Sequence, residues 1–183
     1  MQSDLMVIHQ SGLYQVLYGI VFLSALGAAT TGGVFFAFSN FVMRALDRLP
    51  PGEAIAAMNS INITVINPLF MAMLFGTGVL CAVDIAVALR YWAPVGAGYL
   101  AAGAVVYLVA GVGVTMLGNV PLNVALAKTP PAQARGAEDW MRYRRRWTRW
   151  NHVRTIGCIA ASALIIQAMA SGGLWYFLLS LRT

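Results

Sequence analysis

The sequence predicts an all-α integral membrane protein, a four-helix bundle with a short interfacial helix between the first and second spans. Of its 183 residues, 60% are hydrophobic and only 10% are charged, whereas soluble domains carry about 25% charged residues. A helix that crosses a bilayer needs about 20 mostly apolar residues, and four runs reach that length. They cover residues 13–43, 68–91, 95–118 and 153–180. Residues 1–183 are therefore expected to form a single membrane domain.

The first span and the segment after it are bounded by prolines. The span is longer than the hydrocarbon core requires, so residues 39–46 are expected to project beyond the membrane. The Pro50–Pro51 pair stops it, because proline disrupts a helix interior. The second proline begins a short helix that runs to Val65 and has the apolar spacing of an interfacial or re-entrant segment. Asn67 then caps the second span, with Pro68 in its first turn.

The remaining elements follow from similar signals. Residues 92–94 (Trp-Ala-Pro) form a tight turn into the third span, and the proline within residues 119–123 is predicted to end that span. Residues 129–131 belong to a loop before a basic helix that leads into span four. Small residues recur at four-residue spacing, as at Gly157 and Ala161, which permits close contact between membrane helices.

The distribution of basic residues predicts the orientation. With four spans, both termini lie on one side of the membrane, and the connections 44–67 and 119–152 lie on the other. Two of the twelve basic residues, Arg90 and Arg182, lie on the side of the termini. The other ten are Arg44, Arg48, Lys128, Arg135, Arg142, Arg144, Arg145, Arg146, Arg149 and Arg154. By the positive-inside rule the connections are cytoplasmic and both termini are outside, as expected for a bacterial inner-membrane protein. The arginine run then contacts lipid headgroups, and nucleic acid is not an expected partner.

The polar residues inside this apolar chain gather at the cytoplasmic end. All seven asparagines lie at cytoplasmic span ends or in the connections, namely Asn40, Asn59, Asn62, Asn67, Asn119, Asn123 and Asn151. On span four, helical spacing places five residues on one face, namely Trp147, Asn151, Arg154, Cys158 and Ser162. On span three, Thr115 and Asn119 are stacked in the same way. Arg154 lies about one turn inside the boundary, where a charge usually faces the bundle interior. The sequence therefore predicts a polar pocket from the whole one-sided set, whereas for any single asparagine a capping role is the favoured explanation and single arginines near helix ends usually reach lipid phosphate.

Other ionisable residues give weaker signals. Asp84 lies within span two and is expected to reach the outer interface, with a proton-relay group as the alternative. His9 is predicted on the opposite side from His152, so the two cannot share a metal ion, and no metal site is expected. Cys81 and Cys158 lie in apolar runs and are expected to be small packing residues.

Five stretches around the pocket resemble the anthrone oxygenase-like family of small bacterial and fungal membrane proteins. They are GGVFFAFSNFVM at 32–43, IAAMNSIN at 55–62, NPLFM at 67–71, NVPLN at 119–123 and WTRWNHVRT at 147–155. The resemblance spans roughly residues 13–180. It implies a monooxygenase or oxidase that converts an anthrone to an anthraquinone with molecular oxygen as co-substrate and without flavin or haem.

The resemblance also suggests roles for the pocket residues. His152 is suited to take a proton from the substrate, while Arg154 and the amides of Asn119, Asn123 and Asn151 stabilise enolate or peroxide charge. A lone interfacial histidine is more often structural, however, and His152 lies about 100° from Asn151 around the helix, so it need not point into the same cavity. Trp147 and Trp150 hold a flat aromatic substrate. Asn59, Asn62 and Asn67 complete the expected substrate-binding set.

A non-enzymatic role is the alternative. A membrane module that binds a lipid or another lipophilic small molecule, or that supports a partner protein, also explains the basic cytoplasmic segment. Membrane lipids are expected partners in either case, and a homo-oligomer is possible. A transporter is less favoured, because four spans without an inverted repeat give no midplane site.

Overall fold

The structure is a computed structural model that describes residues 2–90, 96–129 and 136–171, with side chains from residue 12 onward except residue 14. Every regular element within those ranges is helical. Four helices are long and apolar enough to cross a membrane. The chain is thus an integral membrane protein with an all-α architecture, as the sequence predicts.

Five continuous helical stretches make up the described chain. The first, α1, consists of the α-helix Gln2–Ala37, the π-helical turn Phe38–Val42 and the α-helix Met43–Leu46. The short helix α2 is Pro51–Thr64. Helix α3 consists of Pro68–Met71, the π-helical turn Ala72–Gly76 and Thr77–Arg90. Helix α4 consists of Gly96–Val106, the π-helical turns Tyr107–Gly113 and Thr115–Asn119, and Val120–Ala127. Helix α5 is Gly136–Ala170.

The helix boundaries near the prolines agree with the sequence. Helix α1 ends at Leu46, and α2 begins at Pro51, with the proline in its first turn. Helix α3 begins at Pro68, and the Asn67 side-chain oxygen accepts a hydrogen bond from the Phe70 amide at 3.0 Å. The predicted N-cap is therefore confirmed. The interfacial position of α2 relative to a bilayer stays a prediction.

Helix α4 differs from its predicted course. The segment 119–123 does not end the third span, because the helix continues through Pro121 to Ala127. A π-helical turn, Thr115–Asn119, lies directly before this point, so Pro121 occupies the first turn of a new α-helical segment. Proline is tolerated there, because its missing N–H has no helical partner to lose.

The four long helices close into a ring. Helix α5 packs against α1 and α4, and α3 packs against the same two helices. One hydrophobic core fills the middle of this ring. A second core lies where α2 meets the ends of α1, α4 and α5, and it contains the aromatic residues Trp140, Tyr143 and Trp147.

Several sequence predictions fall on residues outside the described ranges. These are the turn at 92–94, the prolines 130 and 131, the last part of span four from residue 172, the side chain of His9, and the position of Arg182. The sides of the membrane on which the termini and connections lie stay predictions.

Asp84 does not reach the outer interface. Its side chain is 0% exposed within the bundle. The neighbouring Ser24 hydroxyl donates to the Ile20 carbonyl at 3.0 Å instead, so neither carboxylate oxygen has a hydrogen-bond partner in the described part of the chain. The expectation of an interfacial carboxylate is therefore wrong. The reason is geometric, because Asp84 lies on the buried face that α3 shares with Cys81 and Ala88.

Replacing Asp84 with leucine is expected to stabilise the bundle. A buried polar group without a partner costs about 1–3 kcal/mol, so Asp84→Leu should raise the melting temperature by several degrees. Thermal unfolding in detergent measures this. Asp47→Leu serves as the matched control, because Asp47 bonds Arg144 and Trp140 at the surface, and its loss should destabilise slightly. A lower melting temperature for Asp84→Leu would show that the carboxylate has a stabilising partner.

Candidate functional site

A cavity of about 1000 Å³ lies between the middle of the bundle and its α2 end. All five helices contribute to its wall, and most of the lining side chains are apolar. The polar residues in the lining are Asn59, Asn62, Thr115, Asn119, Asn123 and Arg154. Its size and character are those of a site for a lipophilic small molecule, which usually combines apolar walls with a few placed polar groups.

Three of the four described π-helical turns contribute side chains to the wall of this cavity, and the turn Tyr107–Gly113 does not. Phe38 belongs to the turn in α1, Leu74 and Phe75 to the turn in α3, and Thr115 and Asn119 to a turn in α4, and all five line the cavity. Such turns are often found at functional sites. They widen the helices locally and change which side chains point inward.

Arg154 is the one charged residue among the described cavity-lining residues. Its side chain is only 5% exposed, and the guanidinium lies 4.0 Å from the centre of the Phe35 ring and 5.1 Å from that of Trp147. These cation–π contacts stabilise a desolvated cation. No carboxylate among the lining residues neutralises it, and the Nε atom has no hydrogen-bond partner.

Asn151 fixes the position of Arg154 through hydrogen bonds. Its Oδ1 accepts a hydrogen bond from the guanidinium at 2.6 Å, while its Nδ2 donates to the Phe35 carbonyl and to the Ser39 hydroxyl, each at 2.7 Å. On the other side, Arg154 donates to the Thr115 hydroxyl at 3.3 Å. The guanidinium is thus tied to α1, α4 and its own helix, and Asn151 is placed to orient it.

Asn123 fixes two aromatic rings. Its Oδ1 accepts hydrogen bonds from the Trp147 indole N–H at 2.9 Å and from the Tyr143 hydroxyl at 3.0 Å. Trp147 also packs against Phe38, with ring centres 5.6 Å apart. Because Trp147 lines the cavity, Asn123 fixes the position of an aromatic ring in the cavity wall.

Asn119 is buried, and only one of its two polar side-chain atoms has a hydrogen-bond partner. Its Nδ2 donates to the Trp147 carbonyl at 3.2 Å, but its Oδ1 has no partner in the described structure. Asn59 and Asn62 on α2 also line the cavity, and one polar atom of each is buried without a partner. The cavity therefore offers unused hydrogen-bonding groups on two of its walls.

Three residues predicted for the site lie elsewhere. His152 is exposed on α5. Trp150 is 43% exposed and packs on Gly118. Asn67 caps α3. None of the three lines the cavity. His152 and Trp150 are exposed on α5, and the Asn67 side chain bonds the Phe70 amide and the Thr64 carbonyl. The structure therefore brings together Arg154, Asn151, Asn119, Asn123, Trp147, Asn59 and Asn62, but not these three.

The structure adds Phe35, Phe38 and Tyr143 to the site. Tyr143 was detectable in the sequence, because it lies four residues before Trp147 on the predicted buried face of span four. Nothing in the apolar first span distinguishes Phe35 and Phe38 from their neighbours. Among the described residues, no group of three His, Cys, Asp or Glu side chains is arranged to hold a metal ion.

Comparison with known proteins identifies a family. Residues 67–164 match the family model described as anthrone oxygenase, a range that includes α3, α4 and the cavity-lining part of α5. Comparisons with curated proteins and with solved structures gave no match.

Proposed function

Because the chain belongs to the anthrone oxygenase family, we propose that it oxidises a lipophilic, anthrone-like aromatic substrate with molecular oxygen. The observation that carries this proposal is the Arg154 guanidinium, buried beside an apolar cavity without a neutralising carboxylate among the described lining residues. An unpaired buried cation is costly. A ligand that brings its own negative charge removes that cost.

An anthrone supplies such a charge when it loses a proton. Its methylene group lies between two aromatic rings, and removal of one proton gives an enolate whose charge is on the ketone oxygen. We place this oxygen beside Arg154, with Asn151 and Thr115 holding the guanidinium. Donors fixed in a water-poor site stabilise developing charge strongly, because they need not reorganise during the reaction.

The oxidation then balances without a further reductant. The enolate carbon forms a bond to molecular oxygen, and the resulting peroxide takes up a proton. The hydroperoxide next loses the remaining hydrogen on that carbon together with a hydroxide, so that one water molecule leaves and a second ketone forms. One anthrone and one oxygen molecule give one quinone and one water. We propose no resident cofactor, since the substrate supplies all of the electrons.

The first proton needs an acceptor. The described cavity lining contains no His, Asp, Glu or Lys side chain, and His152, the base expected from sequence, is exposed on another face of α5. We therefore propose that water at the cavity mouth accepts the proton. The His152→Ala variant tests this, because loss of a general base usually lowers the rate by 10²- to 10⁴-fold, and we expect less than a threefold change.

The rim of the cavity favours a substrate that arrives from the bilayer. Ile63, Ile66, Met116 and Val124 line the cavity, and they are 75%, 71%, 47% and 52% exposed. Within the cavity, the rings of Phe35, Phe38 and Trp147 offer faces for a flat ligand, and offset or edge-on aromatic contacts add to the hydrophobic gain.

Oxygen uptake by purified protein in lipid nanodiscs tests the proposed function. With an anthrone as substrate, we expect oxygen consumption and quinone formation in a one-to-one ratio, at rates well above those of empty nanodiscs. Empty nanodiscs control for spontaneous oxidation. Rates equal to that background would contradict the proposal.

A lipid-binding module remains the second candidate, because the exposed apolar rim and apolar wall also suit an acyl chain. Native mass spectrometry of gently extracted protein separates the two candidates. A retained aromatic or quinone-like molecule supports the oxygenase. A stoichiometric phospholipid together with no oxygen consumption supports the binding module.

A further inference from the structure

The carboxamide of Asn119 is an incomplete hydrogen-bonding group in the cavity wall. The residue is 1% exposed and lines the cavity, yet its Oδ1 has no partner within the described structure. A buried acceptor without a partner costs about 1–3 kcal/mol. The unpaired oxygen therefore destabilises the ligand-free protein, and a ligand that donates a hydrogen bond to it removes this cost.

The orientation of this carboxamide is fixed by its neighbour. Its Nδ2 donates to the Trp147 carbonyl at 3.2 Å, and a carbonyl oxygen only accepts hydrogen bonds. Rotating the amide by 180° would bring two acceptor oxygens together. The Oδ1 atom therefore has to face away from Trp147, and it presents only an acceptor to a ligand.

The acceptor lies close to the cationic group. Thr115 and Asn119 are four residues apart on α4, so their side chains are neighbours along one face, and Thr115 accepts a hydrogen bond from Arg154. The cavity thus combines a cation with an acceptor about one helical turn away. A matching ligand has an acidic oxygen and, a few ångströms from it, a hydrogen-bond donor.

We infer that Asn119 is a specificity-determining residue whose Oδ1 accepts a hydrogen bond from a hydroxyl group of an aromatic substrate. This hydroxyl is distinct from the acidic oxygen beside Arg154. The inference rests on the proposed use of the cavity as the substrate site. It does not depend on oxygen chemistry.

Anaerobic binding tests the inference separately from the reaction. The probes are 1,3-, 1,6- and 2,7-dihydroxynaphthalene, each compared with its monomethyl ethers, which have the same ring but one donor fewer. Titration calorimetry with protein in nanodiscs, corrected for partitioning into empty nanodiscs, gives the affinities. We expect at least one diol to bind about 10- to 100-fold more tightly than its ether, because the ether leaves the acceptor unpaired.

Two substitutions assign this preference to Asn119. Asn119→Leu removes the acceptor and should reduce the diol-to-ether ratio to within threefold. Asn40→Leu is the matched control, because Asn40 is exposed at the same end of the bundle and does not line the cavity. It should leave both affinities unchanged.

The outcomes separate the inference from the proposed function. If the wild-type protein binds diols and ethers equally, or if Asn119→Leu keeps the preference, the inference is wrong and the oxygenase proposal still stands. If the hydroxyl preference is present but no anthrone is oxidised, the inference stands and the oxygenase proposal fails. If no probe binds, the inference is wrong, and oxygen uptake with an anthrone still decides the oxygenase proposal.

Discussion

Replacing Arg154 with methionine is expected to lower kcat/KM for anthrone oxidation by about 10²- to 10³-fold, the usual effect of removing a donor that stabilises an anionic intermediate. Methionine is unbranched like the stem of arginine, and it is apolar like the surrounding rings of Phe35 and Trp147. The bundle should therefore still fold. Oxygen uptake and quinone formation by the purified variant give the rate, and thermal unfolding checks its stability.

A chemically identical change elsewhere on α5 is the control. Arg149 is exposed and does not line the cavity, so Arg149→Met should keep the rate within about twofold. Arg154→Lys should recover only part of the activity, since an ammonium group lacks the planar fork that bonds Asn151 and Thr115 together. Full activity in Arg154→Met would refute the proposed role of the cation.

Gly157→Ala is expected to destabilise the protein by about 2 kcal/mol, which is typical of overpacking in a close-packed interior. A Cβ atom at position 157 on α5 would overlap the Ala110 methyl group of α4, while the Ala110 Cα is 3.7 Å away. Either the two helices separate or the local backbone shifts. Thermal unfolding in detergent should show a melting temperature lower by several degrees.

The second half of this experiment removes the clash instead of adding one. In the double variant Gly157→Ala with Ala110→Gly, the methyl group moves from one helix to the other, and most of the lost stability should return. Such a cycle isolates the interaction between the two positions. Gly33→Ala is the control, because a Cβ there meets nothing within 4 Å, and alanine should stabilise its helix slightly. Additive losses in the double variant would show that α4 and α5 are not in contact at this point.

The parts of the fold that follow from local chemistry could be predicted from the sequence. Four apolar runs gave the spans, the Asn67-Pro68 pair gave a cap, and helical spacing placed Trp147, Asn151 and Arg154 on one buried face. Each of these depends only on residue type and on the period of a helix.

Other features depend on contacts between segments that are distant in sequence. The sequence shows only that Asp84 is an acidic residue within a span. Whether its side chain is buried or reaches the interface depends on how α3 is rotated against α1 and α4. The amides of Asn119, Asn123 and Asn151 have the same chemistry, and only their partners give them different roles. Asn119 keeps an unpaired oxygen, Asn123 holds the Trp147 ring, and Asn151 holds Arg154. His152 is different, because its direction follows from local geometry: it comes directly after Asn151, and one residue turns a side chain by about 100° around the helix.

The π-helical turns make the number of residues in a span part of the information that specifies the site. Each such turn accommodates about one residue more than a regular helix, so the helix after it is rotated relative to the helix before it. In α4, the turn Thr115–Asn119 sets how far the segment that carries Asn123 is rotated relative to the segment that packs in the bundle. Two related chains with the same residues around the cavity, but a single deletion here, would present different faces of α4 to it. Gaps of one residue in this span are therefore as informative as substitutions when the site is traced from one chain to another.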